Sequence, residues 1–147
     1  MMRILLDNNV IDKLKGYEEI IIKHTNIQLF VCHEAILETC ANRNRNLIDN
    51  IESLLAVKPV SLNNPIFVLG HSKLDGKSLF GDDKTADAYY KILNKNRNNI
   101  SDAIIAACAV KNDCILMTND RSLHNKMLKN RYSVISFQEF IKIIEQP

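Results

Sequence analysis

A chain of 147 residues that is 46% apolar and 24% charged carries enough apolar material for one sizeable core, which excludes an extended, disordered protein. Lys and Arg total 19 against 17 Asp and Glu, a formal net charge of +2; bulk charge therefore does not mark a nucleic-acid binder, and any basic footprint must be local. No apolar run approaches the ~20 residues of a bilayer-spanning helix, and the short run after Arg3 ends at Asp7, which argues against an export signal; a cytoplasmic protein with no membrane association is expected.

The elements are read in chain order. Arg3–Leu6 is a strand, a helix starts over Val10–Lys15, and Tyr17–His24 makes another. Ile27–Val31 is a second strand and His33–Ala41 a helix. Leu47–Ala56 has Leu47, Ile51, Leu54 and Leu55 at helical spacing. Val57–Ser61 is a short strand broken by Pro59, which belongs at an edge or an end. The glycine-containing stretch that follows holds the apolar run Ile66–Leu69 and has no clear period. Lys84–Asn96 and Ile100–Lys111 are helices, the second with Ser101 as a candidate N-cap. Cys114–Met117 is a strand, Leu123–Lys129 a helix, Ser133–Ile135 a last strand and Phe137–Ile144 a last helix. The whole of 1–147 is expected to form one domain.

Strands separated by helices require crossover connections, hence a largely parallel, doubly wound sheet with helices on both faces. Chemistry in such sheets sits beyond the carboxyl ends of the strands. Asp7 directly follows the first strand and Asp120 follows Cys114–Met117. Asp102 falls in the first turn of the Ile100 helix, and Glu38 lies on the helix after the second strand. Taken singly, each acid has an ordinary structural explanation: a turn residue, a helix-dipole partner or a solvated face. Taken together they can converge. Clustered carboxylates repel, and a divalent ion with hard oxygen ligands makes such a cluster tolerable.

The contexts of these acids resemble the PIN-domain family, especially its VapC-like toxins. Leu6-Asp7-Asn8-Asn9-Val10 is similar to the family's strand followed by Asp-Thr-Asn-Val or Asp-Ser-Asn-Val, with Asn8 in place of the hydroxyl residue. His33-Glu34-Ala35-Ile36-Leu37-Glu38 resembles the segment ending in the family's Glu; Glu38 matches it, and Glu34, one helical turn earlier, competes. Ser101-Asp102-Ala103-Ile104-Ile105-Ala106-Ala107 resembles the Asp-Ala-x-Ile-Ala-Ala helix, and Thr118-Asn119-Asp120 the Thr-x-Asp segment. Many relatives carry a further acid and then Phe where this chain has Ser122 and Leu123, which leaves a second metal position open.

The resemblance implies a PIN-like three-layer αβα sandwich with a central, mainly parallel five-stranded sheet. It implies a Mg²⁺- or Mn²⁺-dependent endoribonuclease. Asp7, Glu38, Asp102 and Asp120 would be the catalytic and metal-holding acids, and Asn9 and Thr118 would orient them by hydrogen bonds. It further implies a VapBC-type toxin acting on tRNA, rRNA or mRNA, a protein antitoxin as partner and a homodimer. The alternatives are an RNA-processing nuclease that is no toxin, or an inactive PIN-like RNA-binding module.

RNA must reach an acidic pocket, so cations are expected at its rim. Arg121, Arg43, Arg45 and Lys13 are the RNA-binding candidates, with Arg97 shortly before Asp102 a further cation. His24, His33, His71 and His124 show no metal-binding spacing and read as surface or packing residues; Tyr89 and Tyr90, on a helix, read as packing or dimer-interface residues rather than base-stacking platforms. Cys32, Cys40, Cys108 and Cys114 read as reduced, mostly buried thiols.

Overall fold

A computed structural model describes residues 1–41 and 47–146. Strands β1 (Met2–Leu6), β2 (Ile27–Cys32), β3 (Val60–Leu62), β4 (Ile115–Met117) and β5 (Val134–Ile135) form one sheet in the order β3-β2-β1-β4-β5. Every pairing in it is parallel, for example Ile4↔Leu29 and Leu6↔Met117. The helices are α1 (Asn8–Ile11), α2 (Glu18–Lys23), α3 (His33–Ala41), α4 (Leu47–Ala56), α5 (Asp83–Leu93), α6 (Ile100–Lys111), α7 (Arg121–Lys129) and α8 (Phe137–Ile144). This is the expected α/β architecture with a five-stranded parallel sheet.

The burial pattern explains the layers. Ile4, Leu5 and Leu6 are fully buried in succession, as required of a central strand covered on both faces. Helix α6 buries every residue from Ala103 to Ala109, so it is a core helix rather than a surface one. Its alanines let α5 approach closely, and these two helices pack against each other.

Several boundaries differ from the sequence reading for local reasons. The first helix starts at Asn8, capped by Asp7, and gives way to a 3-10 turn at Asp12–Leu14. Helix α5 stops at Leu93 because Asn94 adopts the left-handed conformation, φ 46°. Lys58 is also left-handed, φ 47°, so β3 begins only after Pro59, at the sheet edge where a missing N–H does no harm. Ser101 is not a cap: it lies inside α6, whose N-cap residue is Asn99.

Helix α8 carries a full capping box, Ser136 and Glu139 each bonding the other's backbone N–H. Ser136→Ala should lower stability by about 1 kcal/mol, read as a fall in thermal midpoint; an unchanged midpoint would show that α8 is held by its apolar face alone.

Candidate active site

The strand order positions the site. From β1 the chain builds outward through β2 and β3, then returns to the other side of β1 for β4 and β5. The reversal lies between β1 and β4, and the crevice at the carboxyl ends of these two strands is where a doubly wound sheet receives ligands. Asp7 leaves β1 there, and Thr118, Asn119 and Asp120 leave β4.

Asp7 is 2% exposed and heavily held. Its Oδ1 accepts the Asn8 N–H at 2.7 Å, and its Oδ2 accepts Asn9 Nδ2 at 2.7 Å and the Thr118 hydroxyl at 2.6 Å. Asn9 Oδ1 in turn accepts the Asn119 N–H, and Thr118 Oγ1 accepts the Asp120 N–H. Asn9 and Thr118 thus tie the two strand ends to one carboxylate. Asp120 also caps α7, its Oδ1 accepting the Leu123 N–H at 2.8 Å.

The charges of these acids bear on Asp7, Asp102 and Glu38. Burial raises the Asp7 pKa, and the neighbouring Asp120 adds to this against the hydrogen bonds that oppose it. Burial, then the charges of Asp7 and Asp120, push Asp102 up to about 6, with Lys126 opposing. Burial, then Asp7, Glu34 and Asp102, push Glu38 up to about 7, opposed by a hydrogen bond from Ser101. Acids distant in sequence therefore lie within electrostatic reach of one another.

Glu34 is engaged elsewhere. It is buried, its Oε1 accepts the Ser101 hydroxyl at 2.7 Å and pairs with His71 Nε2 at 2.7 Å, and Asn64 Nδ2 donates to its Oε2 at 3.4 Å. Its carboxylate is turned to this network, whereas Glu38 feels Asp7 and Asp102 directly.

Arg121 lines a polar groove of about 670 Å³ with Thr118, Asn119, Asp120, His124 and Lys142. Lys13 is exposed on the Asp12–Leu14 turn and Arg97 on the 3-10 turn Arg97–Asn99. Arg43 and Arg45 lie outside the described residues. Lys126, which sequence reasoning passed over, is the cation that stabilises the Asp102 charge; its place one helical turn and more beyond Arg121 on α7 was the available signal. Tyr89 is buried and Tyr90 exposed, and their rings pack edge to face. Cys32, Cys108 and Cys114 are buried free thiols, and Cys40 is an exposed one.

Could the pocket take a divalent ion? Among the described residues no three His, Cys, Asp or Glu side chains are drawn together tightly enough to enclose one. Mg²⁺ does not require that: it keeps several waters and binds through one or two carboxylates plus substrate phosphate. Hard oxygen donors whose mutual repulsion a cation would relieve fit such an ion. Thr118→Val should weaken Mn²⁺ binding by about 10–100-fold, since it removes the donor that fixes Asp7 Oδ2. Titration calorimetry would detect this, and unchanged affinity would mean that Asp7 needs no orienting partner.

Residues 4–127 match the family model described as PIN domain. Comparison with curated proteins found no significant match. Among solved structures, PAE2754 from Pyrobaculum aerophilum aligns with a TM-score of 0.63 at 16% identity, covering 99% of this chain and 97% of that one. VapBC-1 from nontypeable Haemophilus influenzae aligns with a TM-score of 0.54 at 18% identity, over 93% and 99% of the respective chains. SSO1118 from Sulfolobus solfataricus P2, a PilT N-terminus domain protein, gives 0.53 at 13% identity, over 99% and 96%. At these identities the likeness is one of fold.

Proposed function

Because the chain belongs to the PIN domain family, whose members are generally nucleases, we propose that it is a Mg²⁺- or Mn²⁺-dependent endoribonuclease that hydrolyses RNA phosphodiester bonds. One observation carries the reading: Asp7, Glu38 and Asp102 have their proton affinity raised by burial and by neighbouring carboxylates, Asp120 among them, at the strand-order reversal, the ligand crevice of this fold. Like charges held close together, one of them fully buried, are costly to keep unless they serve a ligand.

In this reading the four acids hold the metal, which when bound lowers the pKa of a water and neutralises phosphate charge. Asn9 and Thr118 keep Asp7 Oδ2 aimed, and the Asp120 backbone is pinned by the same Thr118 hydroxyl. Glu38, made basic in the metal-free state by burial and by Asp7, Glu34 and Asp102, gives up its proton to join the metal-holding set. Lys126 and Arg121 supply positive charge on the α7 side.

The fold likeness to VapBC-1 supports a more specific setting: the toxin of a toxin–antitoxin pair, cytoplasmic, dimeric and neutralised by a protein antitoxin. The deciding experiment incubates the purified protein with tRNA, rRNA and unstructured RNA, in Mg²⁺, in Mn²⁺ and in chelator. Metal-dependent internal cleavage of at least one RNA is expected; none with any of them would end the proposal. Arg121→Ala should reduce the slope of log affinity against log salt by about 1, and an unchanged slope would remove Arg121 from the RNA path.

A further inference from the structure

The connection between β3 and α5 runs about twenty residues with no helix or named strand, long enough that such loops are usually functional. It is closed on itself and tied down. The Asn64 N–H donates to the Lys77 carbonyl at 2.7 Å and the Leu79 N–H to the Asn64 carbonyl at 2.8 Å, which makes a strap of residues 64–79. The strap is fastened to the start of α3 at two neighbouring points. Asn64 Oδ1 accepts the Glu34 N–H at 2.8 Å, and His71 pairs with Glu34 at 2.7 Å. Asp75 Oδ2 stands 3.5 Å from His33 Nε2, at the start of α3.

Between strap and helix this leaves a cavity of about 220 Å³. Leu37 and Ala41 of α3 form one wall, and His71, Ser72, Lys73 and Asp75 line the strap side. Glu38 and Ser101 line it too, so the cavity borders the candidate site on its Glu38 side. Its size is below the ~300 Å³ at which drug-sized sites begin. That is room for one planar ring system, not a whole nucleotide. An apolar wall facing a few donors and acceptors is the composition of a small-ligand site. Unstacked bases in single-stranded RNA are recognised by such a combination of face contact and edge hydrogen bonds.

We propose that this cavity is a nucleobase subsite, which receives one unpaired base of the RNA beside the scissile phosphate. The base would lie against Leu37 with its edge toward Ser72, Lys73 and Asp75. His71 is a positioning residue, fixing the strap through the buried Glu34. The assignment of RNA as the ligand rests on the nuclease reading above.

The test sequences the ends produced from a randomised single-stranded RNA by wild type, Leu37→Trp, which fills the cavity, and Asp75→Asn, which changes the edge chemistry at an exposed position. Wild type should discriminate among bases by about tenfold or more at one position next to the cut. Leu37→Trp should lose the preference at that position alone, and Asp75→Asn should change which base is preferred there. An identical preference in all three proteins, or none in wild type, would overturn the subsite while leaving the nuclease standing. If wild type cleaves no RNA, the nuclease reading fails, and amide shifts on titration with AMP, GMP, CMP and UMP decide the subsite separately. Shifts at Leu37, Ser72 and Lys73 that favour one nucleotide support it; none with any of the four overturns it, and a protein segment is then the occupant to seek.

Discussion

Asp7→Asn is expected to reduce metal-dependent RNA cleavage by more than the ~10²-fold that losing an orienting partner costs, with the protein still folded. Asp7 is the most buried of the four acids and the one whose charge reaches both Glu38 and Asp102. An amide keeps the shape but offers a single neutral oxygen. Two opposing effects bear on stability. Removing the charge relieves the repulsion felt by Glu38 and Asp102. Against this, an NH₂ in place of Oδ2 would face the Asn9 amide, which is held by the Asn119 N–H and not free to turn; one lost buried hydrogen bond costs about 1–3 kcal/mol. The Thr118 hydroxyl can rotate to accept instead of donate. The two effects are of similar size, so the thermal midpoint of the metal-free variant should move by only a few degrees. A folded Asp7→Asn protein that cleaves as fast as wild type would show that the pocket is not the catalytic site.

The residues that were legible in the sequence share a property: their place follows from chain direction. Asp7 and Asp120 come directly after apolar strands, and a parallel sheet puts all such positions on one edge. Asp102 opens an apolar helix returning to that edge. Glu38 was harder, because Glu34 sits one turn earlier and periodicity does not say which of two nearby faces meets the sheet edge. The structure separates them by partner: His71 and Asn64 bind Glu34, and both lie far along the chain in the segment after β3. Ser101 misled because a small polar residue at a helix start usually caps; here the hydroxyl reaches a buried carboxylate instead. The strap of residues 64–79 had no period to read, since it is held by single side chains rather than by a repeating face. The cations were the least legible. Exposed Lys and Arg carry no packing signal, and only their distance from the acids separates Lys126 from Lys13.

The metal-free protein should grow more stable as pH falls from about 7 to about 5, the reverse of ordinary acid behaviour. Glu38 holds its proton up to about 7 when folded against 4.5 ordinarily, and Asp102 up to about 6 against 3.8. Across that window the folded state binds more protons than the unfolded chain, so stability falls as pH rises. Asp75, Asp82 and Glu139 are shifted down and act in the opposite sense, but only near and below their ordinary values, under the window in question. Each pH unit of difference is worth ~1.4 kcal/mol for a sheltered group; Glu38 and Asp102 are partly open to solvent, which reduces this to on the order of 1–2 kcal/mol for the pair. For a protein of this size that is roughly 2–8 °C in thermal midpoint. Mg²⁺ should cancel the trend, because it binds the deprotonated acids and stabilises only the folded state. Its stabilising effect should therefore be small at pH 5 and largest above pH 7. Glu38→Gln should flatten the metal-free slope without inverting it, since Asp102 and Asp7 remain. A metal-free midpoint that climbs steadily from pH 5 to pH 7 would mean that the carboxylates are not packed against one another, and the basis for a cation site would go with them.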